Sequence, residues 1–181
     1  MGQYYKPCIL GKNGKTVVKW LYSHDFDSGL KLMEHSWIEN EFVKTFESLI
    51  HNNPQRVVWA GDYADECKGL KTNVYSRCSE KNQVKKPTGY SSEVYPLSVL
   101  DSRFVINHTK KQYVDKIKVI SNNGWRVHPL PLLTCEGNGR GGGDYGGEDK
   151  IVGTWARDVI SVSDKVPDGF KKLTFTCEEK W

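Results

Sequence analysis

The sequence predicts an α+β fold, built from a mainly antiparallel sheet and one principal amphipathic helix. Two pairs of short segments with strand-like composition are each joined by a few turn-forming residues, which is typical of antiparallel hairpins. Between the two pairs lies one longer segment with apolar residues at helical spacing. Because 181 residues are enough to enclose one sizeable core, we expect a single domain over residues 1–181.

The chain opens with a predicted hairpin. Residues 3–10 alternate enough to indicate a strand, residues 11–14 form the turn, and residues 16–22 form the returning strand. A short helix is then predicted over residues 30–37, with Asp27 and Ser28 as its cap.

The principal helix is predicted over residues 39–52. Lys44, Glu47 and Ser48 fall on its polar face, and the Asn-Asn-Pro sequence at 52–54 ends it. A buried strand is predicted to follow at residues 56–60, before a polar, lysine-rich excursion that we assign to residues 66–101. The apolar face of the helix contains Phe42, Val43, Phe46, Leu49 and Ile50.

The second half of the chain again begins with a hairpin, Phe104–Asn107 and Gln112–Asp115. Residues 125–128 are predicted to form another strand. Pro129 and Pro131 are incompatible with a central strand, so we expect an irregular segment after it. The last predicted strands lie at 158–162 and 173–178, separated by a turn at 167–169.

A short pattern, W-A-x-D, occurs at Trp59–Asp62 and again at Trp155–Asp158. One interpretation is coincidence in a chain with six tryptophans. The other is an internal duplication with half-repeats at residues 3–65 and 104–165, each running from a hairpin to a strand that carries the pattern. Two pseudo-symmetric halves would then place Asp62 and Asp158 at equivalent ends of the sheet.

Residues 136–158 contain eight of the 17 glycines. Such a run is either a mobile surface loop or a cradle whose backbone N–H groups bind an anion, with the planar guanidinium of Arg140 as a partner for phosphate. The spacing at 137–142 matches G-x-G-x-x-G, but the strand before it and the helix after it are not predicted. The Lys-Ser/Thr ending of a P-loop is also missing.

Composition excludes several classes of protein. The net charge is +4, and the cations are scattered among acids, so a nucleic-acid partner is not expected. The sequence has no apolar run long enough for a membrane span. Because the five cysteines are odd in number and form no CxxC pair, we expect reduced thiols and a cytoplasmic location. A small protein that encloses a ligand often builds its pocket at a symmetric interface, so we also expect a homo-oligomer.

Several motifs resemble a family of uncharacterised proteins of bacteria and their phages. They are the opening MGQYY, GLKLMEHSW at 29–37, WAGDYAD at 59–65, and NGRGGGDY followed by VGTWARD. The resemblance covers most of the chain except about residues 61–101. It implies a bacterial or phage origin and implies that the glycine-rich segment and the W-A-x-D patterns belong to a shared design, but it supplies no activity.

The function that uses these unusual residues is non-enzymatic binding of a nucleotide-like or other anionic small molecule. Loop amides and Arg140 would hold a phosphate, aromatic side chains would stack on a base, and aspartates would accept ribose hydroxyls. A phage protein of this kind would sequester an immune signalling nucleotide of its host. The predicted ligand-binding residues are Arg140, Gly141, Gly142, Gly143, Asp144, Tyr145, Trp59, Asp62, Trp155, Asp158 and His24.

Two alternatives stay open. The protein would be a hydrolase of a similar phosphorylated ligand if acidic residues assembled with His24 or His35, and turnover of the ligand would distinguish it from a binding protein. It would be an inhibitor that binds a host protein if exposed aromatics such as Trp37 or Trp181 were its anchors. No catalytic residue, metal ligand or cofactor is assigned, because the histidines and cysteines have no recognised motif spacing.

Overall fold

One eight-stranded, mainly antiparallel sheet organises the computed structural model, which describes residues 3–86, 102–119, 126–138, 142–147 and 150–176. With three helices in these residues, the predicted α+β class is confirmed. The helices are α1 (Leu32–His35), α2 (Glu41–Ile50) and α3 (Pro129–Thr134). The strands are β1 (Tyr5–Leu10), β2 (Val17–Trp20), β3 (Gln55–Gly61), β4 (Phe104–Asn107), β5 (Gln112–Asp115), β6 (Cys135–Glu136), β7 (Val159–Ser163) and β8 (Lys171–Lys172).

The strand order is β2-β1-β3-β7-β4-β5-β8, with β6 parallel to the end of β3 and β8 parallel to β5. In each half of the sheet, the first strand of a hairpin also pairs antiparallel with a later strand: β1 with β3, and β4 with β7. Strands β3 and β7 then meet at the pairs Gln55–Ile160 and Arg56–Val159. The two hairpins therefore lie on opposite sides of a central antiparallel pair.

The two W-A-x-D patterns do not occupy corresponding positions in this arrangement. Trp59 lies within β3, whereas Trp155 lies in a turn that precedes β7. The expectation that a strand carries the second pattern is wrong, because the backbone turns through positive φ at Gly153 and Arg157. The backbone N–H groups of Gly153 and Trp155 instead bind carbonyl groups of α3. A duplication of the chain stays a prediction.

The principal helix forms as its periodicity predicts, although it is shorter at both ends. The Asn40 side chain caps it by accepting a hydrogen bond from the backbone N–H of Val43 at 3.2 Å. The helix ends at Ile50 because His51 is extended and pairs with Val162 of β7. The placement of Glu47 on an exposed polar face is wrong, since that side chain is buried.

Helix α1 lies within the predicted residues, but the prediction that Asp27 and Ser28 cap it is wrong. The residue before the helix is Lys31, and Glu34 accepts its backbone N–H at 3.0 Å. Asp27 and Ser28 instead close the preceding turn, in which Asp27 has a φ of 54° and the Ser28 N–H bonds the carbonyl of Ser23.

The sequence predicts an irregular segment at Pro129 and Pro131, but the structure has helix α3 there. Proline is tolerated in the first turn of a helix, where backbone N–H groups have no intrahelical acceptor. Pro129 and Pro131 both lie in that turn. The N–H of Leu130 between them is accepted by Nδ1 of His128 at 3.1 Å, so the start of the helix is satisfied.

Two further strand predictions need correction. Residues 173–176 form no strand, because pairing with β5 extends only over Lys171–Lys172 and ends with the bond from Leu173 N–H to the Tyr113 carbonyl. Of the strand predicted at 125–128, the described part contributes a single bridge between Val127 and Trp37. Residues 66–86 of the predicted excursion contain two short 3₁₀ turns and a bridge at Gln83.

The sheet is buried on both faces at β1 and β3, where alternate side chains enter two different clusters. Tyr5 and Trp59 belong to the larger core beneath the helices. Cys8 and Val58 belong to a smaller cluster on the other face, which the 66–86 segment covers with Cys67 and other side chains. The polar excursion therefore protects one face of the sheet.

The larger core contains one polar network at its centre. Nε1 of the fully buried Trp59 donates to Nε2 of His35 at 2.9 Å, and Nδ1 of His35 donates to the Gly29 carbonyl at 2.9 Å. Both ring nitrogens are therefore satisfied with a neutral ring. Burial lowers the pKa of His35 from 6.5 to about 4.

Acidification is expected to destabilise the fold through His35. Because its pKa is lowered in the folded state, the unfolded chain binds the extra proton between pH 6.5 and about 4, so the stability present above pH 6.5 is lost as the pH falls. The full contribution is about 3 kcal/mol. Urea unfolding of the wild type and of His35→Gln at a series of pH values measures it. An unchanged pH slope in the variant would contradict the assignment.

Candidate functional site

The predicted ligand-binding residues that the structure describes make several separate contacts within the chain. Trp59 and Trp155 are buried in the larger core, and Nε1 of Trp155 donates to Oε1 of Gln112 at 3.3 Å. His24 is exposed at the sheet edge, where its ring lies beside Tyr22. Neither indole faces solvent.

The two aspartates of the W-A-x-D patterns lie apart and have different partners. Asp62 accepts the backbone N–H of Tyr4 at 3.0 Å. Asp158 accepts from the Asn107 amide at 2.8 Å and forms an ion pair with Lys110 at 3.0 Å. Each carboxylate is used to hold neighbouring parts of the chain together.

The described part of the glycine-rich segment is docked on the core. Asp144 accepts the backbone N–H of Met33, in the first turn of α1, at 3.0 Å. Gly143 has a φ of 65°, and a Cβ there would lie 2.8 Å from the Tyr5 ring, so a glycine is needed for this approach. The Tyr145 N–H donates to the Gly142 carbonyl at 3.1 Å, and Tyr145 packs against the larger core. Arg140 and Gly141 lie outside the described residues.

A pocket of about 390 Å³ lies elsewhere, between α2, the open end of the β4–β5 hairpin and the start of α3. Helical spacing places Lys44 and Glu47 of α2 on one wall. Arg103 and Lys116 flank the hairpin on a second wall, where the Lys116 N–H bonds the Arg103 carbonyl at 2.9 Å. The lining residues are Ile38, Glu39, Lys44, Glu47, Ser102, Arg103, Lys116, Ile117, Arg126 and His128.

The third wall is a short antiparallel ribbon that joins two distant parts of the sequence. Trp37 bridges Val127, the Ile38 N–H bonds the Arg126 carbonyl at 2.8 Å, and the His128 N–H bonds the Ser36 carbonyl at 2.9 Å. This pairing brings Arg126 and His128 to face α2.

The floor of the pocket is a buried cluster of Glu47, Lys116 and His128, with exposures of 2%, 8% and 2%. Lys116 Nζ donates to Oε1 of Glu47 at 2.7 Å. His128 Nε2 lies 3.0 Å from the same oxygen, without the alignment of a hydrogen bond. Since His128 Nδ1 accepts from Leu130, the neutral ring carries its proton on Nε2, which faces the carboxylate.

Burial and charge set the protonation states of this cluster. Burial would raise the pKa of Glu47, but His128 and Lys116 against the carboxylate outweigh it and lower that pKa below its usual value. Burial lowers the pKa of His128, although Glu47 opposes the shift. Near neutral pH Glu47 is therefore a carboxylate and His128 a neutral imidazole.

The cations at the rim differ in how far they are neutralised. Arg103 makes a bidentate pair with Asp115, at 3.0 and 2.6 Å. Lys44 and Arg126 form no ion pair with any acid in the described part of the chain. Glu39 adds one acidic group to the lining and has a φ of 76°, in the left-handed region.

The site and fold define an α+β protein with a small cationic pocket. Comparison of the chain with models of known protein families, with curated proteins and with solved structures gives no match. Among the residues that the structure describes, no group of three or more His, Cys, Asp or Glu side chains is placed to hold a metal ion. The helices in the same residues are all too short or too polar to cross a membrane.

None of the described residues that line the pocket is among the predicted ligand-binding residues. A histidine immediately before Pro129 is a recognisable helix-start pattern, with an acceptor before proline at the first helical position. Glu47 and Lys116 carry no such local signal, because they lie 69 residues apart in the sequence and are paired only in the folded chain.

Removing the buried carboxylate is expected to destabilise the protein strongly. Glu47→Gln leaves the Lys116 ammonium buried without a counter-charge, which should cost about 3–5 kcal/mol. Glu39→Gln is the matched control, since it makes the same change at an exposed position of the same pocket and should stay within about 0.5 kcal/mol. Denaturant unfolding compares the two variants.

The double variant Glu47→Gln/Lys116→Met should be more stable than Glu47→Gln alone, because it removes the uncompensated charge. Equal stability of Glu47→Gln and Glu39→Gln would show that the ion pair does not support the fold.

Proposed function

We propose that the protein binds a small anionic ligand, of the phosphate-bearing class, in this pocket and does not transform it. The observation that carries the proposal is the pair of uncompensated cations, Lys44 and Arg126, above a floor whose own charges are internally balanced. Because Glu47 is already paired with Lys116, an incoming anion meets a net positive rim.

The size of the pocket supports a small ligand. A volume of about 390 Å³ lies toward the lower end of the range for small-molecule sites. Arg126 offers a planar fork that matches two phosphate oxygens, while Lys44 supplies a point charge. Glu39 adds an acceptor for ligand hydroxyls, which favours a phosphorylated compound that also carries hydroxyl groups.

None of the lining residues that the structure describes is Phe, Tyr or Trp, so a nucleotide would place its phosphate against these residues and its base beyond them. Sequestration of an immune signalling nucleotide by a phage protein is the narrower form of the proposal. It requires the phosphate end of that nucleotide to contact Lys44 and Arg126.

Binding without turnover is favoured because the titratable groups of the floor interact with one another. Nδ1 of His128 accepts from Leu130, and Nε2 faces Glu47. The Lys116 ammonium is bonded to the same carboxylate. A general acid or base must reach the substrate directly or through one water molecule, and these groups are turned toward one another.

The proposal is tested by calorimetric titration of the protein with pyrophosphate, AMP, ADP-ribose and cyclic dinucleotides. We expect one of them to bind with an affinity that falls with ionic strength. Lys44→Met and Arg126→Met should each weaken binding about tenfold, which corresponds to about 1.4 kcal/mol.

Lys19→Met is the control, because Lys19 is exposed on β2, outside the pocket, and its loss should leave the affinity unchanged. Equal affinities for the wild type and both pocket variants would contradict the proposal. Mass spectrometry of the recovered ligand distinguishes binding from hydrolysis, since a hydrolase would return a cleaved compound.

A further inference from the structure

Two cysteines that lie far apart in the sequence face each other in the smaller core cluster. Cys8 is in the middle of β1, and Cys78 follows the 3₁₀ turn Tyr75–Arg77. Their Sγ atoms are 3.5 Å apart. The structure records both as free thiols.

We propose that Cys8 and Cys78 form a reversible thiol–disulfide site, whose oxidation cross-links the 66–86 segment to the central sheet. The sulfur atoms must approach by about 1.5 Å to reach a bonded distance of about 2.05 Å. Cys8 is held in a strand paired on both sides, with Trp20 and Val58 as its partners. Cys78 lies in a segment without strands, so Cys78 makes the movement.

The surroundings give the two thiols different roles. The hydrogen bond between Cys8 and Cys78 lowers the pKa of Cys78, and nearby Lys6 adds to the effect. Burial raises the pKa of Cys8. Cys78 is partly exposed, whereas Cys8 is fully buried. The thiolate that an oxidant reaches first is therefore Cys78, with Cys8 as the resolving thiol.

Lys6 is fixed beside this pair by two aromatic rings. Its Nζ lies 4.7 Å from the centre of the Trp20 ring and 3.9 Å from that of Tyr75. Cation–π contacts of this kind hold the ammonium group in place. The positive charge near the sulfur atoms is thus a fixed feature of the site.

With hydrogen peroxide as oxidant, the Cys78 thiolate attacks one peroxide oxygen, the O–O bond breaks and hydroxide leaves, which gives a sulfenic acid. The Cys8 sulfur then attacks the Cys78 sulfur, the S–S bond forms and the S–O bond breaks. The leaving hydroxyl group takes the proton of the Cys8 thiol and departs as water. In total, two thiols and one peroxide give one disulfide and two waters. A thiol reductant reverses the reaction by disulfide exchange.

The other described cysteines are in different surroundings and serve as controls. Cys67 is buried in the same cluster, but its Sγ lies 3.5 Å from Nη2 of Arg157. Cys135 is buried in the larger core, where its Sγ contacts the Leu132 carbonyl and burial raises the pKa of the thiol to about 12.

The test uses the full chain, exposed to hydrogen peroxide at neutral pH and then mapped by non-reducing peptide mass spectrometry. We expect a cross-linked peptide pair joining Cys8 to Cys78, a rise in thermal stability, and reversal of both by dithiothreitol. Cys67→Ser should still form this bridge. Cys78→Ser and Cys8→Ser should not form it, and Cys8→Ser should instead accumulate sulfenic acid at Cys78.

Lys6→Met should slow the oxidation about threefold for each unit by which the pKa of the Cys78 thiol rises, because a higher pKa reduces the thiolate fraction but increases its nucleophilicity. The proposal is overturned if the peroxide-treated wild type contains no Cys8–Cys78 peptide. It is also overturned if Cys67→Ser abolishes the bridge or if oxidation leaves thermal stability unchanged.

Discussion

The ion pair between Glu47 and Lys116 is the interaction on which the arrangement of the pocket depends. It connects α2 to the open end of the β4–β5 hairpin, and His128 adds the start of α3 to the same carboxylate. A buried pair of this kind is weak evidence for added stability but strong evidence for a fixed geometry, since either charge alone would be costly. Because the Glu47 carboxylate already interacts with Lys116 and His128, it does not neutralise Lys44 and Arg126 at the rim of the pocket.

The parts of the fold that could be predicted from the sequence are those determined by residues close together in the chain. The β4–β5 hairpin has the predicted bounds, and the apolar face of α2 follows from helical spacing. Helix α3 was not predicted, because proline is incompatible with a central strand. Both prolines lie in the first turn of the helix, where backbone N–H groups have no intrahelical acceptor and a proline is tolerated. The buried position of Glu47 depends on Lys116, 69 residues away in the sequence, and no local pattern predicts such a contact.

Most of the predicted ligand-binding residues lie in the glycine-rich segment, where the composition is unusual. In the described residues, that segment serves the fold, with Gly143 allowing close approach to Tyr5 and Asp144 binding the start of α1. The pocket instead consists of residue types that are common in any chain. They meet only because the Trp37–Val127 bridge joins two segments that lie 90 positions apart, and the sequence carries no periodicity that would reveal this pairing.

The most direct test of the pocket as the binding site is a ¹H–¹⁵N NMR titration of the wild-type protein with a phosphate-bearing ligand, beginning with pyrophosphate. The account predicts that amide shift changes concentrate around Lys44, Ser102 and Arg126, the residues that surround the uncompensated charges. Changes confined to residues 137–147 would move the site to the glycine-rich segment. The absence of any change at millimolar ligand would contradict anion binding itself.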